Sequence, residues 1–176
     1  MDLINQGVDF ETEKKYDEAI LMYSKAIFCN RRMQLAFFNR ANAYRLKGDD
    51  LNALADLNTV VELKSFVTYV GPNFEESIES QTQVEDGEVF FMRGIAKSKL
   101  DSLQSSYLDF HLAMMHGYPD SSECFLWQGI LLLRGDKRKQ ACALFEKCVK
   151  YARSQSTLEE AKKLIATTCR ESKDNG

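Results

Sequence analysis

Four stretches of this chain carry one pattern of small and large residues, and that recurrence constrains the fold more than any other feature of the sequence. They are YDEAILMYSKAI (Tyr16 to Ile27), DLNALADLNTVV (Asp50 to Val61), LQSSYLDFHLAM (Leu103 to Met114) and RKQACALFEKCV (Arg138 to Val149). In each, a small residue (Ala19, Ala53, Ser106, Ala141) is followed four positions later by a large apolar one (Tyr23, Leu57, Phe110, Phe145). Three further on comes Ala26, Val60, Ala113 or Cys148. Upstream, each block has a second small residue at matching depth: Gly7, Ala41, Gly94 and Gly129. The spacings between these four are 34, 53 and 35 residues, so one register runs through the chain, lengthened once by 19 residues. Self-similarity at such a period marks a unit that cannot bury its apolar face alone and must stack on copies of itself.

Each block reads as a pair of amphipathic helices, with apolar residues at i, i+3, i+4 and i+7 and stop signals between the helices. Lys47-Gly48-Asp49 and Arg134-Gly135-Asp136 place a glycine expected as C-cap before an aspartate expected as N-cap. Gly117-Tyr118-Pro119 closes the third block. The small residues let two helix backbones approach closely, and the large residue one turn on fills the space beside them.

The pattern resembles the tetratricopeptide-repeat family. The second block, AFFNRANAYRLKGDDLNALADLNTVVEL, carries Phe37, Ala41, Tyr44, Gly48, Ala53, Leu57 and Val60 at the positions the resemblance requires. The first matches at Gly7, Phe10, Tyr16, Ala19, Tyr23 and Ala26, the third at Phe90, Gly94, Phe110 and Ala113, and the fourth at Phe125, Gly129, Ala141 and Phe145. Lys97 stands where an aromatic is usual and Ser106 where alanine is usual. The implied fold is all-α, a right-handed superhelical array of antiparallel helix pairs. Its repeats fall at about 1–33, 34–67, 87–120 and 122–155, with an insertion at 68–86, all within one domain. Residues 156–172 follow as a capping helix, opened by a capping box of Ser156 with Glu159 and carrying Leu158, Ala161, Leu164, Ile165 and Cys169 at helical spacing.

Composition narrows the function classes. A net charge of -3 with scattered basic residues gives none of the focused positive field that phosphate backbones require, which argues against nucleic acid. The longest apolar run, Gly129 to Leu133, is too short to span a bilayer, and the N-terminal stretch has neither the basic start nor the apolar core of a secretory leader. No membrane insertion and a cytoplasmic location are therefore expected. Five cysteines, at 29, 124, 142, 148 and 169, show no paired spacing, so reduced thiols are the expectation.

Nothing in the sequence reads as catalytic, and no cofactor or metal is expected. His111 and His116 lie five apart and share no helical face, Cys142 and Cys148 are splayed, and no glycine-rich phosphate loop or nucleophile elbow occurs. Cys148 occupies a position that wants a small apolar side chain, and Glu75 with Glu76 reads as a solvated acidic run.

The resemblance implies that the first helix of each repeat lines a concave surface. Two positions one turn apart then hold Ile4, Phe38, Phe91 and Leu126, and Val8, Asn42, Ile95 and Ile130. Asn39, Asn42, Arg45, Lys99 and Arg134 flank them. Seven of the eight groove positions are apolar, more than a monomer tolerates in open water. They form a peptide groove, or they are core residues, or the insertion or a second copy fills the groove; the sequence leaves these open. Some relatives clamp the acidic C-terminus of heat-shock chaperones. Here the clamp positions hold Ile4, Val8, Asn39, Glu88 and Met92, of which only Asn39 suits a carboxylate, so that function is not expected.

The insertion divides into FVTYVGPNF, which can pack, and EESIESQTQVED, which is polar and acidic. It either lays Phe66, Tyr69, Val70 and Phe74 over neighbouring apolar surface or prolongs the fourth helix into a loop. The functional readings are a protein-protein adaptor or scaffold gripping an apolar or amphipathic segment, a chaperone shielding such segments, and a homo-oligomeric assembly protein.

Overall fold

The computed structural model describes residues 2–70 and 84–169, with side chains for all of these but 65–70. The lid reading of the insertion therefore lies outside the described side chains. Among the described residues nine α-helices succeed one another, joined by tight turns wherever both flanks are described. They are α1 (Asp2–Thr12), α2 (Tyr16–Cys29), α3 (Gln34–Lys47), α4 (Asp50–Val70), α5 (Asp86–Lys99), α6 (Leu103–Met115), α7 (Ser121–Arg134), α8 (Arg138–Tyr151) and α9 (Gln155–Leu164). A π-helical turn, Ile165–Cys169, follows α9. Each helix packs on its neighbours in the chain, α1 also reaches α3, α3 reaches α5, and α7 reaches α9. That is the contact pattern of a solenoid. None of the described helices is long and apolar enough to cross a membrane.

The recurrent small residues do what close helix crossing demands. A β-carbon built on Gly7 would lie 2.3 Å from the Tyr23 ring, one on Gly129 2.4 Å from the Phe145 ring, and one on Gly94 2.9 Å from the Phe110 ring. Tyr23, Phe110 and Phe145 are wholly buried. In the second pair the large residue is Leu57 rather than an aromatic, and the residue opposite it is Ala41 rather than glycine. The volume removed from one side of the crossing reappears on the other, which is the balance a close-packed interior requires.

The turn inside each helix pair contains one residue of positive φ: Lys14 at 59°, Gly48 at 89°, Asp101 at 58° and Asp136 at 57°. They fall in the same register as the small residues. Gly135 is the C-cap of α7, as the sequence indicates, but its φ is -96°, and the left-handed residue is Asp136 one position later. Asp49 does accept from the Asn52 backbone N–H at 3.2 Å, as an N-cap should, whereas α8 starts after Lys137 with no side-chain cap. The capping box of Ser156 with Glu159 is also displaced. Ser154 is the N-cap of α9, its Oγ accepting from the Thr157 N–H at 3.1 Å, so the cap begins two residues early.

Two buried ion pairs knit the middle of the array. Arg40 on α3 donates through Nε and Nη2 to both oxygens of Asp56 on α4, each at 2.8 Å. Arg93 on α5 does the same to Asp109 on α6, at 2.9 and 2.7 Å. Each arginine also reaches back across the preceding junction, Arg40 to Ser24 Oγ at 2.9 Å and Arg93 to Asn58 Oδ1 at 3.4 Å. Lys97, the departure from the aromatic pattern, places its ammonium 2.7 Å from Asp109 and so belongs to this network. Ser106, the other departure, donates to the Gly94 carbonyl at 2.7 Å.

The expectation of reduced thiols is overturned: Cys142 on α8 and Cys169 in the π-helical turn form a disulfide. The two lie 27 residues apart, and the loop between them contains the whole of α9, which is why linear spacing gave no sign of the pairing. Cys29, Cys124 and Cys148 are free. Burial pushes the Cys124 thiol up to about 12 and the Cys148 thiol up to about 11, so both behave as apolar packing groups.

Candidate functional site

The first helices of the second, third and fourth pairs, α3, α5 and α7, together line a channel of about 530 Å³ that is open to solvent. Its walls are Phe38, Phe91, Met92, Ile95, Leu126 and Trp127, its polar edge is Asn42, Arg45, Glu88, Tyr118 and Glu123, and Thr157 of α9 touches it. A volume in this range admits several side chains of a docked segment.

Of the twelve residues the sequence placed in or beside a groove, Phe38, Asn42, Arg45, Phe91, Ile95 and Leu126 line this channel, while Lys99 pairs with Asp50 and Arg134 donates to the Ser98 carbonyl, both outside its lining. Ile4 does not: it is 5% exposed and packs with Ala19, Tyr23 and Ala36 as core. Val8 is 43% exposed on α1 and lies outside the channel lining, as do Asn39 and Ile130. Two residues serve both roles. Phe91 and Ile95 present one side to the channel while being 8% and 9% exposed, because the rest of each packs with Phe110, Ala113 and Leu131. The two-stripe reading omitted Glu88, Met92, Tyr118, Glu123, Trp127 and Thr157. Widening each stripe by one residue would have found Met92 and Trp127, and Glu123 sits 35 residues after Glu88, in register with it. Tyr118 and Thr157 come from a connecting turn and from the capping helix, where no repeat register points to them.

An aromatic stack supports the floor. Tyr118 lies over Phe91 with ring centroids 4.1 Å apart, Phe91 meets Phe110 edge-on at 5.5 Å, and Phe110 is stacked with Trp127 at 5.9 Å. The Tyr118 hydroxyl donates to Glu123 at 2.7 Å, and burial, with that bond to Glu123, raises its pKa well above the ordinary phenol range. Rings held this way fix the shape of the wall before any ligand arrives.

The other end is polar. Asn42 donates through Nδ2 to Glu11 at 3.0 Å and accepts from Arg45 at 3.0 Å, so the Arg45 charge is turned toward Glu11 through the amide between them. Desolvation raises the Glu11 pKa, with the Asn42 bond and the Arg45 charge opposing it. On α5, by contrast, Arg93, Lys97 and Lys99 all point at other carboxylates, Asp109 and Asp50. The α5 and α7 side of the channel therefore carries Glu88 and Glu123 with no cation lining it among the described residues. A bound carboxylate would meet like charge there.

Among the described residues no group of three or more His, Cys, Asp or Glu side chains is placed to hold a metal ion. His116 lies 3.6 Å from Asp86 and 5.1 Å from the Phe90 ring, a packing and pairing role at the start of α5.

A tetratricopeptide-repeat model matches residues 123–154, which span α7 and α8. Tetratricopeptide repeat protein 36 of Xenopus tropicalis is 40% identical over 70 residues, a match covering 40% of this chain and 35% of that protein. The chain thus spans about a third of the length of that relative. Among solved structures, the MamA protein superposes with a TM-score of 0.69 at 16% identity, covering 95% of this chain and 84% of MamA. PilF of Pseudomonas aeruginosa superposes at 0.72 and 18%, covering 94% and 67%. The first repeat domain of Spaghetti (RPAP3), bound to the HSP90 peptide SRMEEVD, superposes at 0.56 and 22%, covering 81% and 90%. At these identities the structural likeness speaks for the fold.

Proposed function

We propose that this chain is a tetratricopeptide-repeat array that serves as a non-enzymatic adaptor, holding an apolar or amphipathic peptide segment in the channel between α3, α5 and α7. The observation that carries this reading is the channel wall itself. Six large apolar side chains converge on one cavity, with polar groups confined to its edge, which is the composition of a site that takes an apolar ligand and orients it. RPAP3 binds an acidic chaperone peptide on a similar fold, but here Glu88 and Glu123 edge the channel, so SRMEEVD itself is not the expected ligand.

The test uses a fluorescein-labelled amphipathic helix of Leu, Ala and Lys, followed by polarisation. Saturable binding is expected, weakened at least tenfold by Phe38→Asp and by Leu126→Asp, both half-buried positions whose loss leaves the helical circular dichroism intact. SRMEEVD should show no saturable binding. If both variants bind the probe as well as the parent chain does, the channel is not the site.

A homo-oligomeric assembly role is favoured by a different observation. Leu21 and Leu108, 52% and 55% exposed, occupy the same register on the outer helices, as do Phe28 and Met115, 80% and 70% exposed. Light scattering over a concentration series separates the two, since the adaptor reading requires a monomer at the concentrations where the probe binds.

A further inference from the structure

The disulfide lies where the array ends, and what it holds together is informative. Cys142 sits in the first half of α8 and Cys169 at the end of the π-helical turn, so the bond closes a loop around α9, the helix that covers the last repeat. On α8, Ala141, Phe145 and Cys148 are wholly buried: Phe145 packs against Gly129 of α7, and Cys148 faces α9. The Cys148 sulfur is 4.0 Å from the Thr157 carbonyl of α9, and Thr157 and Ala161 are buried in return. The turn also packs along α8. Arg138 Nε donates to the Thr168 carbonyl, and the hydroxyls of Thr167 and Thr168 bond only to carbonyls within their own segment.

We propose that the Cys142–Cys169 bond is a redox-operated clasp: closed, it fastens the capping helix over the end of the array, and opened by a dithiol it lets that helix lift and uncover Cys148 on α8. Both cysteines are only partly buried, so a reagent can reach them. Arg138, one turn before Cys142 and bonded to the residue beside Cys169, keeps a fixed positive charge near both sulfurs, which favours the thiolate form in exchange. The free cysteines do not compete for the bond. Cys124 and Cys148 are buried, with thiols that hold their protons at neutral pH, and Cys29 lies in the first repeat.

The exchange balances with a dithiol as the two-electron reductant. One of its thiolates attacks a sulfur of the bond, forming a mixed disulfide and expelling the other cysteine as a thiolate. The second thiol of the reagent then closes its own disulfide and expels the remaining cysteine, and both cysteine thiolates take protons from water. Closing a loop of this length restricts the unlocked ensemble, so opening it favours the lifted state.

Cys148 reports the state of the cap, and Cys124, packed with Phe91 and Phe110 in the body of the array, is the internal control. The full chain, oxidised by glutathione disulfide, is compared with Cys142→Ser, Cys169→Ser and the double variant, each pulse-alkylated and read by peptide mass spectrometry. The expected result is a rise of at least tenfold in the alkylation rate of Cys148 when the clasp is absent, with Cys124 unchanged. In the parent chain, graded dithiol should raise the Cys148 rate in step with loss of the bond. The proposal is overturned by no change at Cys148, by an equal rise at both cysteines, which would mean general loosening, or by an oxidised parent chain in which Cys142 and Cys169 remain unlinked. None of these outcomes depends on what the channel binds.

Discussion

At Lys14, Gly48, Asp101 and Asp136 the backbone takes the same left-handed turn, yet only one of the four is glycine. A side chain in that conformation meets the neighbouring carbonyl, at a cost of roughly 1–2 kcal/mol that glycine avoids. Gly48→Ala should therefore lower stability by about 1 kcal/mol, although open space surrounds the position. Gly135→Ala tests the converse. Its φ is ordinary, and an added β-carbon would come no nearer than 3.7 Å to any carbonyl, so the substitution should be neutral or stabilise slightly. Urea unfolding of the two variants decides, and equal losses at both sites would refute the assignment of the left-handed residue. Sequence alone favours the opposite ranking in the fourth repeat, because a glycine capping a helix end is the natural left-handed residue. Only comparing the turns by register shows that the fourth one needs its left-handed residue at Asp136.

The helix pair is the element in which sequence and packing agree most closely. Glycine or alanine on one helix faces an aromatic or leucine on the other, and the 34-residue register announces both. What the register does not announce is polar. Arg40 with Asp56, and Arg93 with Asp109, occupy identical places in the second and third pairs, but the first pair has Gln6 and Met22 there and the fourth has Gln128 and Leu144. A feature present in two repeats of four is hard to tell from surface charge until burial is known. Asp109 is 2% exposed and receives both Arg93 and Lys97, so Asp109→Asn would leave two cations facing a neutral amide in a low-dielectric seam. Removing one partner of such a buried pair is worth about 3 kcal/mol in lost stability. Asp56→Asn should cost less, since it strands Arg40 alone. Chemical denaturation at low and high salt measures both, and a loss at Asp109 below that at Asp56 would contradict the network. The cap was legible as an amphipathic helix but its fastening was not, because a cysteine pair separated by a whole helix has no local signature.

Along the whole molecule, stability and binding are carried by different helices. The second helix of each pair supplies the fully buried aromatic or leucine, and the first supplies the channel wall with α3, α5 and α7. About half of that wall was readable from the apolar stripes. The remainder depends on how the array curves, which brings Tyr118 from a turn and Thr157 from the cap to a channel no repeat defines alone. If an apolar segment docks there, its free energy must appear as protection of the helices it touches. At a hundredfold excess of probe over its dissociation constant, linkage adds about 2.7 kcal/mol to the folded state. Hydrogen exchange with the labelled amphipathic helix should then slow most in α3, α5 and α7, and least in α2 and α8, whose exposed faces point away from the channel. Protection spread evenly over all the helices would indicate nonspecific adsorption to the outer leucines. Protection centred instead on α6, the last turn of α7 and the first turn of α8, where Leu103, Tyr107, Leu108, Leu132 and Gln140 line a second cavity of about 570 Å³, would move the binding site to the other side of the array.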